Sequence, residues 1–119
     1  MKNRILILDD EEDFLEIVRV RLENNGYVVE TCNDLHKALD IVGDFMPELC
    51  IIDIVWRTMG YGEYGNTIAS MIRSTFPKIK ILLMSSVSYS EKNEYSDDFI
   101  VKPYDSNVLL QKIEELIDE

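Results

Sequence analysis

Four short apolar runs, each closing on a polar residue, constrain this chain more than any other feature. Ile5-Leu6-Ile7-Leu8 runs into Asp9-Asp10, and Leu49-Cys50-Ile51-Ile52 into Asp53. Ile81-Leu82-Leu83-Met84 runs into Ser85-Ser86, and Phe99-Ile100-Val101 into Lys102-Pro103. Unbroken runs of this length read as strands covered on both faces. Helix-period segments separate them, which is the alternation of successive βα units. An open parallel α/β sheet carries its functional crevice outside the carboxyl ends of its strands. All four polar groups fall at that end.

The pattern predicts strands at 4–8, 27–32, 49–53, 79–84 and 98–101 and helices at 12–25, 34–45, 66–75 and 105–118. Gly26 stops the first helix, Pro47 lies beyond the second, Gly65 opens the third, and Asp105 or Ser106 caps the last. The inward positions are Phe14, Val18 and Leu22, then Leu35, Ala38, Leu39 and Val42, then Ile68, Ala69 and Ile72. The last helix buries Leu109, Leu110, Ile113, Leu116 and Ile117. Residues 54–64 carry no period, and 87–97 have no aliphatic face beyond Val87, so the fourth crossover holds one or two turns at most. Right-handed crossovers make this a doubly wound, five-stranded parallel sheet of order 2-1-3-4-5. That order sets the first and third strands side by side and brings Asp10 and Asp53 within reach of one cation.

At 119 residues the chain is sized for one domain, residues 1–119. Its net charge of −11 and lack of any Lys/Arg run remove the electrostatic term that nucleic-acid binding requires. No apolar stretch has the length of a membrane span, and no signal sequence opens the chain, so a cytoplasmic protein is expected. Cys32 and Cys50 lack metal-ligand spacing and read as buried free thiols. The first strand separates them, which makes a disulfide implausible. His36, the sole histidine, is expected at the surface.

Three carboxylates at one rim repel, and a cation must neutralise them or one takes up a proton. Mg²⁺ suits an oxygen-only site that leaves room for water and a phosphoryl oxygen. An ionised aspartate can serve as the nucleophile and hold an acyl phosphate, while the cation and Lys102 clamp phosphoryl oxygens from two sides. Singly, each residue has an ordinary reading too. Asp9-Asp10 can cap the first helix, Asp53 can end a strand, Lys102 can be solvated and Phe99 can be core.

Together, Asp9-Asp10, Asp53, Ser85-Ser86 and Lys102-Pro103 at the ends of the expected strands resemble the receiver domain of two-component response regulators, over essentially the whole chain. The resemblance implies a flavodoxin-like fold and a signalling domain, not a classical enzyme, that assists its own phosphorylation and dephosphorylation. It implies Asp53 as phosphoacceptor and Asp10 as direct Mg²⁺ ligand. Asp9 would bind the metal mainly through water, and Val55 would give it a backbone carbonyl. Ser85, the Ser86 N–H and Lys102 would contact the phosphoryl group. Ser85 and Phe99 match the switch pair, and Pro103 is a candidate for a cis peptide bond. A histidine kinase or phosphotransfer protein would donate the phosphoryl group, and an unknown downstream protein would read the changed surface. A homodimer stays open.

The chain departs from the family pattern in two places. The usual Met-Pro after the phosphoacceptor is absent, and the loop from Asp53 to Gly65 is about one helical turn longer than normal. This loop gates access or docks a particular kinase, or is a tolerated insertion. Trp56 within it is expected to pack, not to cover the site. The spacing from Ser85 to Lys102 is short by about a turn, and Ser96-Asp97 replaces the Gly-Ala that leads into the fifth strand. The missing apolar stripe predicts that 86–97 orders on activation. Val55 and Val87 cannot orient water, which predicts a long-lived phospho-Asp53. Two alternatives stand beside the switch. One is a phosphorylation-independent interaction module on the same scaffold. The other is an aspartate-based phosphohydrolase, disfavoured because Val55 stands where a second acid would.

Overall fold

The computed structural model describes residues 3–86, 94–102 and 105–118. The strands are β1 (Arg4–Leu8), β2 (Val28–Cys32), β3 (Leu49–Asp53), β4 (Lys80–Ser85) and β5 (Asp98–Val101). The helices are α1 (Glu12–Asn24), α2 (Leu35–Phe45), α3 (Tyr64–Thr75) and α4 (Ser106–Ile117), and a 3-10 turn spans Arg57–Met59. Every strand pairing is parallel, and the order is β2-β1-β3-β4-β5. The expected sheet is therefore present, with β1 against β3 at its centre.

The unbroken apolarity of the central strands follows from their two covered faces. Successive side chains point to opposite sides. Leu6, Leu8, Cys50, Ile52, Ile81 and Leu83 face α2 and α3, where Ala38, Val42, Ile68, Ala69 and Ile72 meet them. Ile5, Ile7, Leu49, Ile51, Leu82 and Met84 face α1 and α4, where Leu15, Val18, Leu22, Leu109, Ile113 and Leu116 meet them. The edge strand β2 is half-covered at Val28, Val29 and Thr31.

Local chemistry sets the element ends. The Asp34 carboxylate accepts the His36 N–H at 2.9 Å and caps α2. Asp105 does the same for α4 through the Asn107 N–H at 2.7 Å. Gly26 follows α1 with φ at 91°, a conformation that glycine adopts without steric cost.

Several details differ from the sequence reading. Leu110 and Ile117 of α4 are half-buried, not buried, and β2 and β4 start one residue later than expected. Leu15, not Phe14, completes the buried stripe of α1, and Phe14 is half-buried on its flank. Helix α3 starts at Tyr64, ahead of Gly65. Strand β4 extends to Ser85 because Ser85 pairs with Val101 and its carbonyl accepts the Lys102 N–H at 2.7 Å. Most of the fourth crossover, Val87 included, and Pro103 lie outside the described residues.

At the entry to β5, Asp97 ties three elements together. Its carboxylate accepts the Ile81 N–H at 2.8 Å and an Arg73 N–H at 2.7 Å. Its own N–H donates to the Ile81 carbonyl at 2.8 Å. Asp97 thus fastens α3 and β4 to the start of β5.

Candidate functional site

The adjacency of β1 and β3 fixes the site. Asp9 and Asp10 follow the last residue of β1, and Asp53 is the last residue of β3. One carboxylate oxygen from each lies within 4.8 Å of the other two. Lys102 arrives from the end of β5. Its Nζ donates to Asp9 Oδ2 at 2.7 Å and lies 3.6 Å from Asp53 Oδ2. The same Nζ stands 4.0 Å from the centroid of the Phe14 ring, a cation–π contact from α1.

The three carboxylates are held differently. Asp9 is fully buried, and both its oxygens are engaged: Oδ2 by Lys102 and Oδ1 by the Glu11 N–H at 3.0 Å. Asp10 Oδ2 accepts the Thr58 N–H at 3.0 Å. Asp10 Oδ1 is buried and has no hydrogen-bond partner. Asp53 is 5% exposed.

Burial pushes the Asp53 carboxyl up to about 7; the charges of Asp9 and Asp10 add to this, and Lys102 opposes it. Asp9 is also raised, because burial outweighs its bond to Lys102. One ammonium therefore does not balance the acids gathered here. A buried, unpartnered carboxylate oxygen beside two further carboxylates is a donor set that fits a hard divalent cation.

The other expected residues fall around this cluster. Ser85 is fully buried at the end of β4, the strand next to β3, and Ser86 is exposed beyond it. Val55 is half-buried two residues past Asp53. Phe99, on β5, is buried in the core on the α2–α3 side, with β4 between it and β3. His36 is exposed at the start of α2, and both cysteines are free and buried. The structure brings neither cysteine nor His36 to the acidic cluster.

The loop after β3 is built into the site. Trp56 is fully buried, and its indole N–H donates to the Asp53 carbonyl at 2.7 Å. This agrees with packing in the loop. Gly65 sits so close to the same segment that a Cβ there would lie 2.0 Å from the Asp53 carbonyl oxygen. Sequence reasoning missed the Thr58 N–H, the Phe14 contact and the Arg73–Asp97 pair. The first is a backbone group with no side-chain signature. The other two join positions far apart in the chain.

Among the described residues no helix is long and apolar enough to cross a membrane. Residues 5–114 match the response regulator receiver domain. The chain is 30% identical over 122 aligned positions to response regulator MprA of Mycolicibacterium vanbaalenii, an alignment covering 98% of this chain and 51% of that protein. It spans about half the length of the curated relatives it matches. Among solved structures it resembles response regulator protein TrrA of Thermotoga maritima in complex with Mg(2+)-BeF. The TM-score is 0.84 and the identity 28%, with 98% of this chain and 99% of that chain covered. It also resembles the structure of histidine kinase ThkA in complex with TrrA, with a TM-score of 0.83, 28% identity and the same coverage. With the family match running through nearly every element that builds the acidic rim, the chain belongs to the response regulator receiver domains, the signalling domains of two-component systems.

Proposed function

We propose that this receiver domain is a phosphorylation-activated switch that accepts a phosphoryl group on Asp53 with Mg²⁺ as cofactor. The observation that carries the reading is the gathering of Asp9, Asp10, Asp53 and Lys102 at one sheet edge, with a buried Asp10 oxygen left unpartnered. The Mg(2+)-BeF complex of TrrA supports the metal, and the ThkA–TrrA complex supports a histidine kinase as donor.

In this reading an Asp53 carboxylate oxygen attacks the phosphorus of a phosphohistidine. The P–N bond breaks with its electron pair on the imidazole, which takes a proton from solvent, and a P–O bond to Asp53 forms. Asp10, Asp53 and the Val55 carbonyl would hold Mg²⁺ directly and Asp9 would hold it through water, and the bound cation would supply positive charge that favours the ionised, nucleophilic carboxylate. Lys102 already lies 3.6 Å from Asp53 and takes up the charge of the arriving phosphoryl oxygens. The Ser85 hydroxyl and the Ser86 N–H bind the same group. Loss of Lys102 from Asp9, and changes at Ser85 and Phe99, then alter the surface that a downstream protein reads. Val55 cannot orient a hydrolytic water, so the acyl phosphate is long-lived.

Intact-mass measurement after incubation with acetyl phosphate and Mg²⁺ tests the reading. The chain is expected to gain the mass of one phosphoryl group, and its Asp53→Asn variant none. A chain that gains nothing overturns it and leaves the phosphorylation-independent module, and a variant that gains the same overturns Asp53 as the acceptor.

A further inference from the structure

The 57–59 turn approaches the acidic cluster with its backbone. Inside the turn, the Met59 and Gly60 N–H groups donate to the Trp56 and Arg57 carbonyls. The Thr58 N–H donates outward, to Asp10 Oδ2. The turn is fixed by anchors independent of Asp10. The Trp56 indole is buried on the Asp53 carbonyl, the Trp56 N–H donates to the Gly62 carbonyl at 3.1 Å, and the Gly65 N–H donates to the Ile54 carbonyl at 2.9 Å. The exposed Arg57–Glu11 contact at 3.8 Å adds little. Asp10 is held the other way round: one oxygen rests on the turn and the other, buried, has no partner.

We propose that the Thr58 N–H is a positioning group for Asp10, holding Oδ2 so that Oδ1 alone is presented to the divalent cation. The inference rests on the Mg²⁺ reading above and assigns a role to the extended loop. Partners that orient a ligating carboxylate change metal affinity by about 10- to 100-fold when lost. A carboxylate with one oxygen tethered binds through the other. That suits small octahedral Mg²⁺ and denies Ca²⁺ the bidentate grip it accepts. Thr58 thus favours Mg²⁺ over Ca²⁺, and by reciprocity a bound cation secures the tether.

Calorimetric titration of the full chain with Mg²⁺ and with Ca²⁺ tests this. Thr58→Ala keeps the N–H and is expected to bind as the parent chain does. Thr58→Pro removes the N–H and is expected to lose about tenfold in Mg²⁺ affinity and less in Ca²⁺ affinity. Unchanged Mg²⁺ affinity in a folded Thr58→Pro chain, or equal losses for both ions, overturns the proposal while the Mg²⁺ reading stands. A parent chain that binds no Mg²⁺ removes both. Amide exchange at Thr58 decides the matter if the proline variant does not fold. Exchange should slow on adding Mg²⁺ to the parent chain and quicken in Asp10→Ala, and rates indifferent to both overturn the proposal.

Discussion

Replacing Asp53 with asparagine should make the metal-free domain more stable, although it removes the residue proposed to carry the phosphoryl group. The folded protein holds the Asp53 proton up to about pH 7, against an ordinary carboxyl value of 3.8. Between those values the folded state binds more proton than the unfolded chain, so stability falls as pH rises. The contribution of protonated Asp53 is intact below about pH 4 and lost as pH passes through about 7. A gap of about three pH units corresponds to about 4 kcal/mol at pH 8, an upper bound for a carboxyl whose neighbours also titrate. Asparagine keeps the shape and escapes the ionisation cost. Urea unfolding without divalent cation should show Asp53→Asn more stable by about 2–4 kcal/mol at pH 8, and by under about 2 kcal/mol at pH 5. Mg²⁺ at a hundredfold excess over its dissociation constant should raise the parent chain by about 2.7 kcal/mol and the variant by less. An asparagine variant no more stable than the parent at pH 8, or a gain unchanged between pH 8 and pH 4, would refute the reasoning.

Three further outcomes follow from named contacts. Lys102→Ala strips the ammonium from fully buried Asp9, and urea unfolding at pH 8 should register a loss of about 3–5 kcal/mol; a loss under about 1 kcal/mol contradicts the buried pairing. Gly65→Ala drives a methyl into the Asp53 carbonyl, so it should cost about 3 kcal/mol or more and slow phosphorylation from acetyl phosphate, followed by intact mass. A variant with parental stability and rate places α3 farther from Asp53 than the structure does. Val55→Asn should quicken decay of phospho-Asp53 by giving water a hydrogen-bond partner, read as loss of phosphoryl mass with time; an unchanged half-life removes valine as the cause of persistence.

The strands, their order and the rim on which Asp9, Asp10, Asp53, Ser85 and Lys102 meet were legible because each rests on a local pattern. A strand covered on both faces must be apolar throughout, and a parallel sheet must deliver all its strand ends to one side. The same patterning placed α2, α3 and α4 within a residue or two of their ends. Where two apolar residues stood side by side, as Phe14 and Leu15 do, periodicity alone did not choose between them. Packing against Ile5, Ile7 and Met84 took Leu15, and Phe14 was left to meet Lys102.

What the chain's order of residues determined by itself is the family, the sheet and the identity of the acids. Only the tertiary structure decided how those acids are held: Asp9 by Lys102, Asp10 by a backbone N–H from a loop with no readable period, Asp53 by a tryptophan hydrogen-bonded to its own carbonyl. Periodicity records which side of an element faces the core, whereas a hydrogen bond between positions 48 or 93 residues apart depends on distances set only after the sheet has closed.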